Sequence, residues 1–375
     1  MPSKSKPVSK PFRIGLIGCG NISNAYFTHL APYAAYAKIT ACSDLDIERA
    51  RAKAAEHGVA KACTVKELLA DPAIDAVLNL TIPAAHASVN LAALKAGKHA
   101  YCEKPFSLTY KEGLQVTKEA QKRRLRVGCA PDTVLGGGIQ TARKLIDDGA
   151  IGKPIAAFAN MLCHGHESWH PSPEFYYQKG GGPLFDMGPY YLTSLVLMMG
   201  PVKSVTAVAK TTFKERTITN KVNPGKKIKV EIPTHLSGEL EMVNGAIATV
   251  NMSFDVWKSN MPLLEVHGTE GSLSVPDPNT FGGEVKLWTR AKGEWQTIPL
   301  THSDKTGRGL GIADMAFSEQ TKKKQHRLNG DLALHVVEIM EAFHTSAKAG
   351  RKITLKSRPK QPEPFPAGLP VGELA

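Results

Sequence analysis

The sequence predicts an α/β protein with two parts: an N-terminal Rossmann, doubly wound parallel sheet, and a C-terminal open-faced, mostly antiparallel sheet of α+β type. Three observations predict it. Short apolar strands alternate with helices over the first 130 residues. A glycine-rich turn follows the first strand. Beyond Gly149, helices become scarce and strands with one apolar and one polar face take over.

The elements follow in order. Phe12–Ile17 reads as a buried strand, then Gly18–Ser23 as a turn, then a helix near Ala25–Leu30. Lys38–Ser43 is a second strand, and Leu45–His57 is a helix closed by Gly58 at its C′ position. Ala76–Leu80 is an apolar strand followed by a helix near Ala84–Ala96. His99–Cys102 and Arg126–Cys129 are short strands around a helix over Tyr110–Lys122, and Leu135–Asp148 is helical up to Gly149. In the second part Ala246–Val256 alternates strictly, with Ala248, Val250, Met252 and Phe254 on one face. Ile155–Leu162, Val202–Lys210, His235–Met242, Leu263–His267, Val285–Thr289 and Trp295–Leu300 read as its partners. Asp331–Ala349 returns to helix before a Pro-rich tail. The expected divisions are 12–133 (dinucleotide binding), 134–330 (substrate and self-association) and 331–375 (helix and tail).

Composition narrows the class. With 375 residues, 42 % hydrophobic and 22 % charged, the chain is globular, neither disordered nor fibrous. No stretch reaches the roughly 20 apolar residues of a membrane span, and the first twelve residues carry no secretory signal pattern. The six cysteines, none spaced C-x-x-C, read as core residues of a reducing, cytoplasmic compartment, with no metal site among them. Of the net charge of +13, residues 1–10, Thr321–Arg327 and Arg351–Ala375 together carry +10. These read as solvated segments, so no nucleic-acid partner is expected.

Gly18-x-Gly20-x-x-Ser23 between strand and helix is a phosphate cradle. Gly18 allows the tight turn, Gly20 lets backbone approach a pyrophosphate, and Asn21 and Ile22 complete the loop. Asp44, 24 residues past Gly20, ends the next strand, where a carboxylate binds ribose hydroxyls and repels a 2′-phosphate. NAD is therefore expected over NADP, with Arg49 close enough to keep NADP open. Asp44 also suits the N-cap of Leu45–His57.

The string Ala96-Gly97-Lys98-His99-Ala100-Tyr101-Cys102-Glu103-Lys104-Pro105, with Thr81-Ile82-Pro83 and His86 before it, resembles the Gfo/Idh/MocA oxidoreductase family. So do Gly180–Gly188 and Gly268–Leu273. The resemblance spans roughly 12–355 and implies NAD-dependent hydride transfer at a secondary hydroxyl of a sugar, cyclitol or glycoside. It implies a cofactor site at Gly18, Gly20, Asn21, Ile22, Asp44, Thr81, Pro83, His86, Glu103 and Lys104. Lys104 would lie by the nicotinamide and reacting hydroxyl, and Asp186 would bind or orient substrate. The family commonly has a histidine four residues after that aspartate; here the position holds Tyr190.

That departure opens the proton-transfer assignment. If Asp186–Met199 is one helix, Asp186 and Tyr190 share a face, and a nearby ammonium would favour the phenolate. The segment Cys163–His170 holds three histidines, and His164 or His166 could serve instead. Trp169, Tyr176 and Tyr177 suit stacking on a sugar. Alternatives are a redox-assisted glycosidase or lyase with tightly held NAD, and a non-catalytic NAD-binding regulator. A homodimer or homotetramer through the open sheet is expected, with no membrane partner and no metal.

Overall fold

The computed structural model describes residues 10–375, so the basic charges at residues 1–9 lie outside the described residues. The chain forms two compact units. One comprises the residues up to 140 with 300–334 and 362–375; the other comprises 141–299 with 335–361. The expected boundaries at 133 and 330 differ from this division, because residues 300–330 and the C-terminal stretch belong with the first unit.

In the first unit β1 (Phe12–Ile17), β2 (Ala37–Ser43), β3 (Lys61–Ala62), β4 (Ala76–Asn79), β5 (His99–Cys102) and β6 (Val127–Cys129) form a parallel sheet in the order β3-β2-β1-β4-β5-β6. Helices α1 (Ser23–Leu30), α2 (Ile47–His57), α3 (Val65–Ala70), α4 (His86–Lys95) and α5 (Tyr110–Arg123) connect the strands, and α6 (Gly137–Asp147) follows. This order reverses between β1 and β4, which opens the ligand crevice of doubly wound sheets beside the turn after β1. α2 begins two residues later than expected, and its cap is Asp46, whose carboxylate accepts from Glu48 N, rather than Asp44. Thr64 and Thr109 form capping boxes with Glu67 and Glu112 at α3 and α5.

A late helix, α9 (Leu310–Gln320), completes the unit, with Leu310 through Ser318 buried. Several polar links hold it, two of them to the segment after α5. Gly309 N donates to Asp132 Oδ2 at 2.5 Å, and Arg126 Nε donates to Glu319 at 2.7 Å. Asp132 is fully buried, and burial pushes its carboxyl up to about 6. The tail also belongs to the packed structure: Leu355, Phe365 and Leu374 are buried. Arg327, counted among the solvated charges, is buried against Asp314. The solvated reading is corrected for Arg327, whereas Lys322, Lys324 and the five basic residues between 351 and 360 are exposed as expected, and it is the apolar residues of the Pro-rich segment that pack.

The second unit is built on a nine-stranded sheet. Its strands are β7 (Pro154–Leu162), β8 (Val202–Lys210), β11 (His235–Met242), β12 (Ile247–Ser253), β13 (Leu264–Gly268), β14 (Gly271–Val275), β15 (Val285–Thr289), β16 (Trp295–Ile298) and β17 (Ile353–Thr354). Their order is β16-β15-β14-β13-β7-β12-β11-β8-β17. β7 and β12 pair in parallel, Leu162 opposite Ser253, and the other pairings are antiparallel. The first and fourth strands of this sheet therefore end side by side. A separate hairpin joins β9 (Glu215–Thr217) to β10 (Lys227–Lys229). Where one helix was expected over 186–199 there are two, α7 (Gly182–Asp186) and α8 (Gly188–Met199), with Met187 between them. Every residue of α8 is buried.

Helix α10 (Gly330–Ala349) carries a buried relay. Val202 N–H donates to His335 Nε2 at 2.9 Å, so Nδ1 holds the ring proton and faces Ser357 Oγ at 2.7 Å; that hydroxyl donates to Glu338. Burial, reinforced by Arg358, pushes His335 down to about 3, and burial pushes His326 down to about 3 as well. Both rings fold neutral, so below pH 6.5 the unfolded chain binds protons that the folded chain refuses. Stability is expected to fall as pH drops from 6.5 towards 3, by about 1.4 kcal/mol per pH unit for each ring. Urea midpoints measured from pH 7 to pH 4 check this, with a shallower slope expected for His326→Leu.

Candidate active site

The turn after β1 is built by contacts that tolerate little change. Gly18 has φ +102°, and a Cβ there would stand 2.6 Å from the Leu80 carbonyl oxygen. Its N–H donates to Ser43 O at 2.8 Å. At Gly20 a Cβ would meet nothing within 4 Å, so the backbone borders open space. Ser23, in the third glycine position, donates from Oγ to Gly20 O at 2.7 Å. No side chain caps α1, which leaves its positive end for an anion.

Asp44 Oδ2 accepts from Cys19 N at 2.8 Å, and Oδ1 from Asp46 N at 3.0 Å. The carboxylate thus shapes the turn. Arg49 reaches it at 3.5 Å and is half exposed. Leu45 and Ile82, just past the ends of β2 and β4 on either side of β1, are highly exposed apolar side chains.

The remaining cofactor candidates form a brace. Thr81 donates from N and Oγ1 to Asn79 Oδ1, and Asn79 Nδ2 donates to His86 O and Asn90 Oδ1. His86 is buried, with Nδ1 2.6 Å from Pro105 O and Nε2 2.9 Å from Thr81 O. It ties the Thr81–Pro83 turn to the cis Lys104–Pro105 turn. Glu103 is also buried; Tyr26 Oη donates to it at 2.9 Å, and it accepts the backbone N–H of Lys104 at 2.9 Å. Glu103 and His86 thus set the frame of Lys104 from beneath. Lys98 of the same string is structural: its ammonium donates to Asp71 O and Ile74 O.

In the second unit the chain leaving β7 turns at Gly165, whose φ is +80° and where a Cβ would lie 2.1 Å from Tyr177 Oη. His166 Nε2 lies 3.2 Å from Asp186 Oδ2. An ionised carboxylate only accepts, so Nε2 carries the ring proton. Nδ1 is then the bare lone pair, and it is buried without a partner. Both side chains keep partial exposure, 10 % for His166 and 17 % for Asp186. The His166 ring packs among Tyr176, Phe254 and Trp169. Tyr190 is buried, with 3 % of its surface exposed.

Arg216, on β9, anchors this loop and was not anticipated. Its guanidinium is 4 % exposed and donates to Glu167, to Asp255 Oδ1 at 3.1 Å, and to the carbonyls of His164 and Phe254 at 2.8 Å each. Tyr177 Oη donates to Glu167 as well. Burial pushes the Glu167 carboxyl up, but Arg216 and Tyr177 together hold it below its ordinary range. Tyr177, considered for sugar stacking, is instead a buried strut, whereas Trp169 is 62 % exposed. His164 lies flat on Trp257, with rings 3.3 Å apart at 12°. Among the described residues no group of three His, Cys, Asp or Glu side chains is arranged to hold a metal ion.

A model described as the oxidoreductase family with an NAD-binding Rossmann fold matches residues 12–130, and the GFO/IDH/MocA C-terminal domain model matches 139–274. The chain belongs to the Gfo/Idh/MocA family. A 1,5-anhydro-D-fructose reductase from Ensifer adhaerens is 31 % identical over 297 residues, covering 77 % of this chain and 83 % of that one. A D-xylose dehydrogenase from Paenarthrobacter nicotinovorans is 27 % identical over 274 residues, covering 66 % and 69 %. Among solved structures, a levoglucosan dehydrogenase in complex with NADH and L-sorbose aligns with a TM-score of 0.79 at 21 % identity, over 93 % of this chain and all of that one. The chain is thus an oxidoreductase with an NAD-binding fold, and the open space at Gly20 beside Asp44 fits that cofactor.

Replacing Asp44 removes the charge that repels a 2′-phosphate and frees Arg49 to receive one. Asp44→Ser is expected to weaken NAD binding and to tighten NADP binding, each by about tenfold. Titration of both dinucleotides by fluorescence checks this.

Proposed function

We propose that this protein is an NAD-dependent dehydrogenase acting on a secondary hydroxyl of a sugar, cyclitol or glycoside. The observation that carries the reading is the Asp186–His166 pair at the end of α7, in a chain whose other unit holds an NAD cradle and the Lys104 turn. Bound NAD supplies the hydride acceptor. Gly18, Gly20, Asn21 and Ile22 would hold the pyrophosphate, Asp44 the ribose, and Leu45 and Ile82 the faces of the adenine. Thr81 and Pro83 would border the crevice, with His86 and Glu103 behind them.

In oxidation the carbon–hydrogen pair leaves as hydride and the hydroxyl proton needs an acceptor. Asp186 accepts the substrate hydroxyl's hydrogen bond and takes its proton. His166 holds the carboxylate in place through Nε2–H, which makes it a positioning residue. Lys104 donates to the reacting oxygen as charge builds there. His164 supports the loop, and the buried Tyr190 takes a packing role. Relatives named for reductase and dehydrogenase activities favour net hydride transfer over the glycosidase and regulator alternatives.

The outward face of the second sheet supports self-association as a homodimer or homotetramer. Register places Phe158, Val208, Ile247 and Trp295 on that one face, all exposed. Six unpaired cysteines support a cytoplasmic location.

Lys104→Ala is expected to abolish turnover while NAD binding persists. Asp186→Asn is expected to lower kcat by about 10²–10⁴. His166→Gln should cost less and shift the acid limb of the kcat profile, and Tyr190→Phe should cost least. Steady-state rates followed at the NADH absorbance band across pH 5–10, on a panel of sugars and cyclitols, check the order. A larger loss at Tyr190 than at Asp186 would transfer the proton-accepting role to the phenol.

A further inference from the structure

This inference deepens the dehydrogenase reading and rests on it. It starts from two tryptophans that the fold leaves uncovered. Trp257 is 81 % exposed and Trp169 is 62 % exposed. Neither is loose. Trp257 lies flat on His164, and Trp169 leans on His166 at 5.1 Å. His164 and His166 therefore each carry an exposed indole.

The framework under Trp257 is rigid for identifiable reasons. β7 and β12 run parallel and end together, and their continuations stay bonded: Cys163 N donates to Ser253 O at 3.0 Å and Val256 N to Cys163 O at 3.1 Å. Arg216 Nη2 clamps both continuations, through the carbonyls of His164 and Phe254. The His164 ring that supports the indole has Nδ1 3.3 Å from Asp255 O. A large apolar ring, held at one face and open at the other, loses little freedom when a ligand covers it.

The spacing identifies what that ligand looks like. His164 and His166 are two residues apart, so their backbones are at most about 7 Å apart. His166 holds Asp186, where the reacting hydroxyl is placed. A substrate with one ring at Asp186 has Trp257, seated on the neighbouring histidine of the same loop, as the platform for a second ring joined to the first. Asp255 and Glu167, the nearby carboxylates, are engaged by Arg216, so the groups under Trp257 are charge-paired, and the exposed indole stands next to the exposed Lys258.

We propose that the substrate is a two-ring glycoside: its reacting ring sits at Asp186, and the ring on its glycosidic oxygen stacks on the open face of Trp257. That second ring is a sugar or an aryl group, since both present a flat apolar face. Trp257 is then a specificity-determining residue.

The test is isothermal titration of the NAD-loaded protein with glucose, galactose and xylose, with disaccharides built from each, and with their phenyl glycosides. Turnover is measured alongside. At least one two-ring compound is expected to bind about tenfold more tightly than its monosaccharide. The disaccharide and phenyl arms tell a sugar from an aryl partner. In Trp257→Ala that ratio is expected to fall below about 3, and in Trp257→Phe to fall only part of the way. The Phe variant also carries the test if the Ala variant fails to fold. A wild type that shows no two-ring preference, or a preference that survives in Trp257→Ala, overturns the proposal. Two-ring preference in binding without NADH formation on any compound would sustain the subsite and overturn the dehydrogenase reading. NADH formation without two-ring preference would do the reverse.

Discussion

A single buried guanidinium organises the second unit's chemistry. Arg216 sits where water cannot solvate it, and its charge is tolerable only because Glu167 and Asp255 are buried with it. In return it fixes three segments distant in sequence: the loop after β7, the end of β12 and the hairpin that carries it. Removing one partner would leave unpaired charge inside the protein, typically a loss of 3–5 kcal/mol. The pairing of His166 with Asp186, and the flat seat of Trp257 on His164, both lie on the framework this cation holds.

The first unit uses the same device with different groups. Glu103 and His86 are buried beneath the Lys104 turn, and their partners are largely backbone groups: Lys104 N, Pro105 O and Thr81 O. Residues that a family pattern marks as functional thus divide by depth. Lys104 is partly exposed, whereas Glu103 and His86 act through the backbone they hold.

What was legible in the sequence was mostly what is local. The strand–helix alternation, the Gly18–Ser23 turn and the Asp44 carboxylate each follow from neighbours within a few tens of residues. The cap of α2 was misplaced by two residues because Asp44 and Asp46 both suit that position, and only tertiary structure assigns Asp44 to Cys19 N. Arg216 was illegible: it lies 49 residues from Glu167 in an ordinary polar stretch, and nothing nearby marks its burial. His166 was a candidate among three histidines, and its pairing with Asp186 needed the fold to decide. The C-terminal segment read as solvent-facing because of its Pro and basic residues, while Leu355, Phe365 and Leu374 among its apolar residues do the packing.

The discontinuity of the first unit bears on how the chain matures. Its sheet is finished by residue 129, yet the helix that engages Asp132 and Arg126 emerges from the ribosome only after eight of the second sheet's nine strands have been made. The central pairing of that second sheet in turn joins strands about ninety residues apart. Both units close late, and both depend on contacts of long sequence separation, which slow folding. Until residue 320 or so has been translated, Tyr101, against which Gly311 packs closely, lacks that neighbour. The protein therefore departs from the common pattern in which an N-terminal domain folds to completion first, and chaperone engagement would be most useful to it during that interval.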